Sequence, residues 1–136
     1  MIKSYVLDSF AILAYQQGEE GKDEVKKLLR DAEEGKVKLY LNWVNFGEVY
    51  YITSRDKGED AANRAVAIVK NWPLEFVTPD ERITLIAAKL KANNPISYAD
   101  SYAAATAWEK DAEVATGNTE FKLISDVVPV FWIKEV

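Results

Sequence analysis

The sequence predicts an α/β protein: a three-layer α/β/α sandwich around a central, mainly parallel sheet of about five strands. Two observations carry this. Five short apolar runs have strand character, and helical segments separate each from the next. Strands joined through helices pair in parallel and are covered on both faces. A third observation makes residues 1–136 one domain: no internal repeat, low-complexity segment or Pro/Gly-rich linker interrupts them.

The elements follow in order. Lys3–Leu7 (KSYVL) reads as a buried first strand ending at Asp8. Ser9–Tyr15 is a short helix, followed by a turn at Gly18 and Gly21. Lys22–Glu34 is an amphipathic helix with Val25, Leu28, Leu29 and Ala32 on one face and Gly35 closing it. Its Lys22, Lys26, Lys27 and Arg30 read as a solvated face. Val37–Leu41 is the second strand, Trp43–Arg55 a largely buried helix, and Glu59–Trp72 another that Pro73 breaks. Leu74–Val77 is the third strand. Thr78-x-x-Glu81 reads as a capping box opening a helix through Leu90. Ser97–Lys110 is an Ala-rich helix, Glu113–Thr116 the fourth strand, Thr119–Ser125 a helical turn and Val130–Ile133 the last strand. Trp43, Tyr50, Tyr51, Trp72, Trp108 and Trp132 are expected in the core or at an interface.

Composition removes whole classes of chemistry. The chain has no Cys and no His. Disulfides, thiol nucleophiles, Ser-His-Asp triads and imidazole metal ligands are therefore excluded. Acid–base or metal chemistry must run on Asp, Glu, Lys, Tyr or water, and an all-oxygen site favours hard cations such as Mg²⁺ or Mn²⁺. A net charge of −5 argues against a large basic nucleic-acid platform. No apolar run reaches the ~20 residues of a membrane span, and Met1–Leu7 has no signal-peptide shape; the expectation is a cytoplasmic protein. No G-x-G-x-x-G, Walker loop or G-x-S-x-G is present.

Three carboxylates stand alone in apolar surroundings. Asp8 is the only charge in SYVLDSFAILAYQQ, Glu48 the only one in WVNFGEVYYI, and Asp100 the only one in ISYADSYAAATAW. A charge near a core costs several kcal/mol unless a cation or hydrogen-bond donors compensate it, and none of the three has a basic neighbour in sequence. Structural roles also fit each of them. Asp8 suits the N-cap of the helix at Ser9, and Ser97-x-x-Asp100 fits a capping pattern. Glu48 suits a box with Asn45 or a pair with Arg55. In parallel sheets, ligands bind outside the carboxyl ends of the strands, where Asp8 and Asn118 fall. Convergence would bring repulsion of about 3 kcal/mol between like charges ~5 Å apart at an effective dielectric of ~20, which a divalent ion relieves.

At YVLDSFAIL, NFGEVYY, ISYADSYAAATA and ATGNTEFKLI, the chain resembles the PIN-domain ribonucleases, and most of all their small VapC toxins. The resemblance spans nearly the whole chain and implies a metal-dependent endoribonuclease that hydrolyses RNA phosphodiesters with Mg²⁺ or Mn²⁺. By carry-over, Asp8, Glu48 and Asp100 match the family's first three acids and would be its catalytic and metal-binding residues. Ser9 and Thr116 match supporting hydroxyls. The fourth acid is replaced by Asn118, so Asn118 or Glu120 would supply any further ligand, and a second metal would bind more weakly. The resemblance also implies a homodimer and a cognate antitoxin. Three other readings stand beside it: a PIN domain disabled by Asn118 that binds RNA or protein, a phosphotransfer or phosphatase domain using Asp8, which lacks D-x-D at Asp8-Ser9-Phe10, and a purely structural interaction domain, which leaves the isolated acids unexplained.

Overall fold

A computed structural model describes residues 2–136. Five strands, β1 (Lys3–Leu7), β2 (Val37–Asn42), β3 (Glu75–Val77), β4 (Glu113–Thr116) and β5 (Val130–Trp132), form one sheet in the order β3-β2-β1-β4-β5, and every neighbouring pair is parallel. The connecting helices are α1 (Ser9–Gln16), α2 (Lys22–Glu33), α3 (Trp43–Lys57), α4 (Glu59–Val69), α5 (Glu81–Asn93) and α6 (Tyr98–Lys110). A 3₁₀ segment covers Thr119–Ile124. The predicted three-layer architecture is the one observed.

Side-chain alternation along the strands sorts two cores onto opposite faces. Tyr5 and Leu7, with Leu39, Leu41 and Ala115, pack against α1 to α4 through Ala11, Ile12, Val25, Val49 and Val69. Val6, Tyr40 and Val114 face α5 and α6 through Ile83, Ala87, Leu90 and the alanines of α6. In α6 the run Asp100–Ala107 is entirely buried, because its small side chains let the helix lie close to its neighbours.

The strand order creates the site. The chain runs outward from β1 to β2 and β3, then returns to place β4 on the other side of β1. Their C-terminal ends therefore diverge into connections on opposite faces, and the crevice at such a switch point is where open α/β sheets bind ligands. Leu7 pairs with Ala115, which sets Asp8 and Thr116 side by side one residue beyond.

Three local readings differ from the sequence expectation. The N-cap of α5 is Asp80, whose carboxylate accepts from the Ile83 backbone N–H at 2.9 Å. Asp80, a stronger cap than Thr78, takes the N-cap, so the helix starts two residues later. Asn45 does not box with Glu48: Asn42 caps α3, accepting from Val44 N at 2.8 Å. Arg55 pairs with its neighbour Asp56 and leaves Glu48 alone. Of the six aromatics, Trp43, Tyr51 and Trp108 are exposed, and the others are half-buried at the margins of the core.

Candidate active site

The site is assembled from the end of β1, the middle of α3, the first turn of α6 and the loop after β4. Asp8 is completely buried. It caps α1, its Oδ1 accepting from Ala11 N at 2.9 Å, while Oδ2 accepts a short hydrogen bond from the Thr116 hydroxyl. Burial pushes its carboxyl up to about 7, and the Glu48 charge adds to this; the two donors oppose it. Capping and placement in the site are thus one arrangement, because the helix terminus supplies the donor that a buried acid needs.

Glu48 lies half-buried on α3, where its Oε1 accepts from the Ser9 hydroxyl at 2.6 Å. Ser9 thereby ties the second acid to the residue after the first. Asp100 is 5 % exposed, the third residue of α6. The Ser97 hydroxyl accepts from the Asp100 backbone N–H at 3.1 Å and caps the helix, which leaves the carboxylate free to face the loop after β4. Burial first, then a carboxyl–carboxylate hydrogen bond with Glu120 and the Asp8 charge, raise Asp100 far above the usual carboxylate range. All four acids are thus electrostatically linked, and no Lys or Arg pairs with any of them among the described residues.

Asn118 is the organiser of this loop. Its Nδ2 donates to Asp100 Oδ2 at 3.0 Å, its backbone N–H donates to Thr116 Oγ1 at 2.9 Å, and its Oδ1 accepts from Glu120 N at 3.0 Å. An acid here would lose the amide donor and set a further charge against Asp100 and Glu120. Every residue singled out in the sequence, Asp8, Ser9, Glu48, Asp100, Thr116, Asn118 and Glu120, therefore enters one connected cluster.

Two residues were missed. Asn42 and Asn45 are both fully buried: Asn42 Nδ2 donates to Thr106 Oγ1 and Asn45 Nδ2 donates to Ala99 O, each at 3.0 Å. They lock α3 to α6 and so fix Glu48 relative to Asp100. Asn45 Oδ1 has no hydrogen-bond partner among the described residues. The only signals in sequence were a polar residue at the end of β2 for Asn42 and one inside an apolar helix for Asn45, which a cap explained equally well.

The donor set suits a hard divalent ion: carboxylate oxygens that repel one another, two of them on buried acids, with no Lys or Arg paired to them among the described residues. Among the described residues no three acids stand close enough to enclose an ion alone. An ion held here would have to keep several of its waters and take one or two carboxylates.

A family model for the PIN domain matches residues 5–127. The chain belongs to the PIN family. No curated protein matches it significantly in sequence. Among solved structures, this PIN domain is similar to VapBC2 from Rickettsia felis bound to a promoter DNA fragment, with 18 % identity and a TM-score of 0.72 over 95 % of this chain and 98 % of that one. The DNA-bound VapBC of Salmonella typhimurium gives 19 % identity and 0.71, covering 98 % and 99 %. VapC20 of Mycobacterium tuberculosis, a toxin that cleaves the sarcin–ricin loop, gives 16 % and 0.68, covering 93 % and 96 %. At these identities the likeness is one of fold. No helix is long and apolar enough to cross a membrane among the described residues.

Proposed function

We propose that this PIN domain is a Mg²⁺- or Mn²⁺-dependent endoribonuclease and the toxin of a VapBC-type pair. The observation that carries the reading is the cluster of buried Asp8 and Asp100 with half-buried Glu48 and Glu120 at the switch point of the sheet, with no Lys or Arg paired to them among the described residues. Such a cluster is costly to fold, and the cost is relieved by a divalent ion. Asp8 and Asp100 would hold the ion, with Glu48 on the α3 side and Asn118 or Glu120 opposite.

The chemistry a bound ion supplies is activation of water and neutralisation of charge developing on the scissile phosphate. The protein's own groups do the rest. Thr116 and the N-terminus of α1 fix the Asp8 carboxylate, and Asn118 fixes that of Asp100. Ser9 holds Glu48 in reach as a proton acceptor. With no His in the chain, that role falls to a carboxylate.

Toxin–antitoxin complexes among the structural neighbours support a cognate antitoxin as partner; a homodimer is proposed from the sequence resemblance alone. The test is cleavage of a structured, mixed-sequence RNA with Mg²⁺ or Mn²⁺, against EDTA and against Asp100→Asn. Cleavage is expected only in the wild type with metal; cleavage by folded Asp100→Asn would remove that residue from the site. A second reading, a binding module without turnover, is favoured by the Asn118 amide occupying Asp100 Oδ2. It predicts no cleavage by the wild type and appearance of activity in Asn118→Asp.

A further inference from the structure

Beside the acidic centre, on its β5 side, one lysine is held in place by packing and has no part in the cluster described above. Trp132 at the end of β5 pairs with Thr116, and the Ile133 backbone N–H then donates to the Thr116 carbonyl at 3.1 Å. Lys134 follows directly, so its backbone is tied to the residue whose hydroxyl donates to Asp8. The far end of its stem lies over Gly117, the link between Thr116 and Asn118, and its Nζ stands 5.3 Å from the centre of the Phe10 ring. Phe10 is the second residue of α1, next to Ser9 and two beyond Asp8.

Gly117 is a second, independent sign that this arrangement is built. A Cβ there would stand 2.5 Å from Phe10 Cε1 and 3.2 Å from Lys134 Cε. Its φ is not in the left-handed region, so it is the space above the loop, and not the backbone, that requires glycine. Phe10 and the lysine stem close over this buried residue and leave the ammonium on the ring face, within the range of a cation–π contact. A stem already packed in this way gives up less rotamer freedom when its head group binds an anion. Lys134 forms no ion pair with Asp8, Glu48, Asp100, Glu120 or any other carboxylate among the described residues. Other cations, Lys70 among them, are also unpaired; what marks Lys134 is its place, packed on the two segments that carry Asp8 and Asn118.

We propose that the Lys134 ammonium binds the RNA phosphate next to the scissile one and so sets the position of the strand over Asp8 and Asp100. The proposal rests on the nuclease reading for the reaction at that centre. Its physical reason is that an RNA strand brings one negative charge per nucleotide, and an ion at the centre offsets only the charge at the reacting phosphate. The neighbouring phosphate still meets the field of the acids unless a cation stands beside them. Lys134 contacts phosphate and reads no base. It holds the ground state and the transition state alike, so its loss appears in KM and not in kcat.

The test is anisotropy of a fluorescein-labelled, mixed-sequence single-stranded RNA in EDTA at several salt concentrations, followed by cleavage kinetics of the same RNA in Mg²⁺. Three proteins are compared: wild type, Lys134→Met, which keeps an apolar stem over Gly117 and removes the charge, and Lys70→Met. Lys70 ends α4 where the chain leads into the start of β3, at the sheet edge opposite the acidic centre, so the second variant removes the same charge far from it. Lys134→Met is expected to lower the slope of log K against log salt by about 0.7 and to bind about fivefold more weakly near 0.1 M salt, the contribution of one phosphate contact. Its KM should rise in the same proportion with kcat unchanged, and Lys70→Met should match the wild type in both assays. Equal weakening in the two variants, unchanged binding by Lys134→Met, or no RNA binding by the wild type overturns the proposal. A fall in kcat with unchanged affinity also overturns it, and makes Lys134 a support of the centre and not a contact to RNA. Because nothing is cleaved in EDTA, binding that depends on Lys134 in a chain that cuts no RNA refutes the nuclease reading alone.

Discussion

Replacing Asp8 by Asn should stabilise the metal-free protein at alkaline pH while abolishing its activity. The folded carboxyl titrates near 7 against 3.8 for the unconstrained group, so between these values the folded state binds more protons than the unfolded state. Stability is fully present below about pH 4 and is lost as pH rises through about 7. The loss approaches 4 kcal/mol, taking about 1.36 kcal/mol for each of roughly three pKa units. An amide at this position keeps the acceptor for Ala11 N, but its NH₂ group meets Thr116 Oγ1, which already accepts from Asn118 N. The displaced Thr116 proton costs about 1 kcal/mol. The net gain at pH 8 is therefore about 3 kcal/mol, a rise in Tm of roughly 6–12 °C for a domain of this size. Urea unfolding in EDTA at pH 8 and pH 4 reads it directly: the Asp8→Asn protein should be the more stable at pH 8 and no more stable than wild type at pH 4. A wild type as stable as the variant at pH 8, or a difference that does not change with pH, would refute the claim that burial of this charge is what the fold sustains.

Other expectations follow from the same cluster. Millimolar Mg²⁺ or Mn²⁺ should raise the Tm of the wild type, and the rise should vanish in Asp8→Asn and Asp100→Asn; an equal rise in all three would place the ion elsewhere. Asn118→Asp should lower stability in EDTA by about 1–3 kcal/mol, because a donor to Asp100 becomes a further acid, and should tighten divalent binding by calorimetry. Thr116→Val removes the hydroxyl between Asp8 and Asn118 and should cost about 1–3 kcal/mol, with a titration of Asp8 by NMR moving further upward. Asn45→Ala should cost stability and also cut kcat with little change in KM, since it loosens Glu48 relative to Asp100; an unchanged kcat would make Asn45 purely structural.

The order of strands and helices was legible because each element carries its own local signal. KSYVL is a short apolar run with an aromatic and a β-branched residue, and Pro73 and Gly35 mark the ends of helices. The caps at Asp8 and Ser97 were legible; those of α3 and α5 were misread because each helix start carries two cap-type residues, Asn42 beside Asn45 and Thr78 beside Asp80. The acids were visible because an isolated charge in an apolar run is expensive in any fold.

What the sequence determined by itself, then, was the alternation of elements, the all-oxygen chemistry left by the lack of His and Cys, and the three acids that need compensation. What only the tertiary structure decided was their meeting. Asp8 and Thr116 are 108 residues apart and become neighbours because β4 returns to pair with β1. The partners of Glu48 and Asp100 and the buried Asn42 and Asn45 likewise depend on which helix faces pack together. Contacts of this range are set by strand order and by burial summed over two cores, quantities that no local stretch of residues encodes.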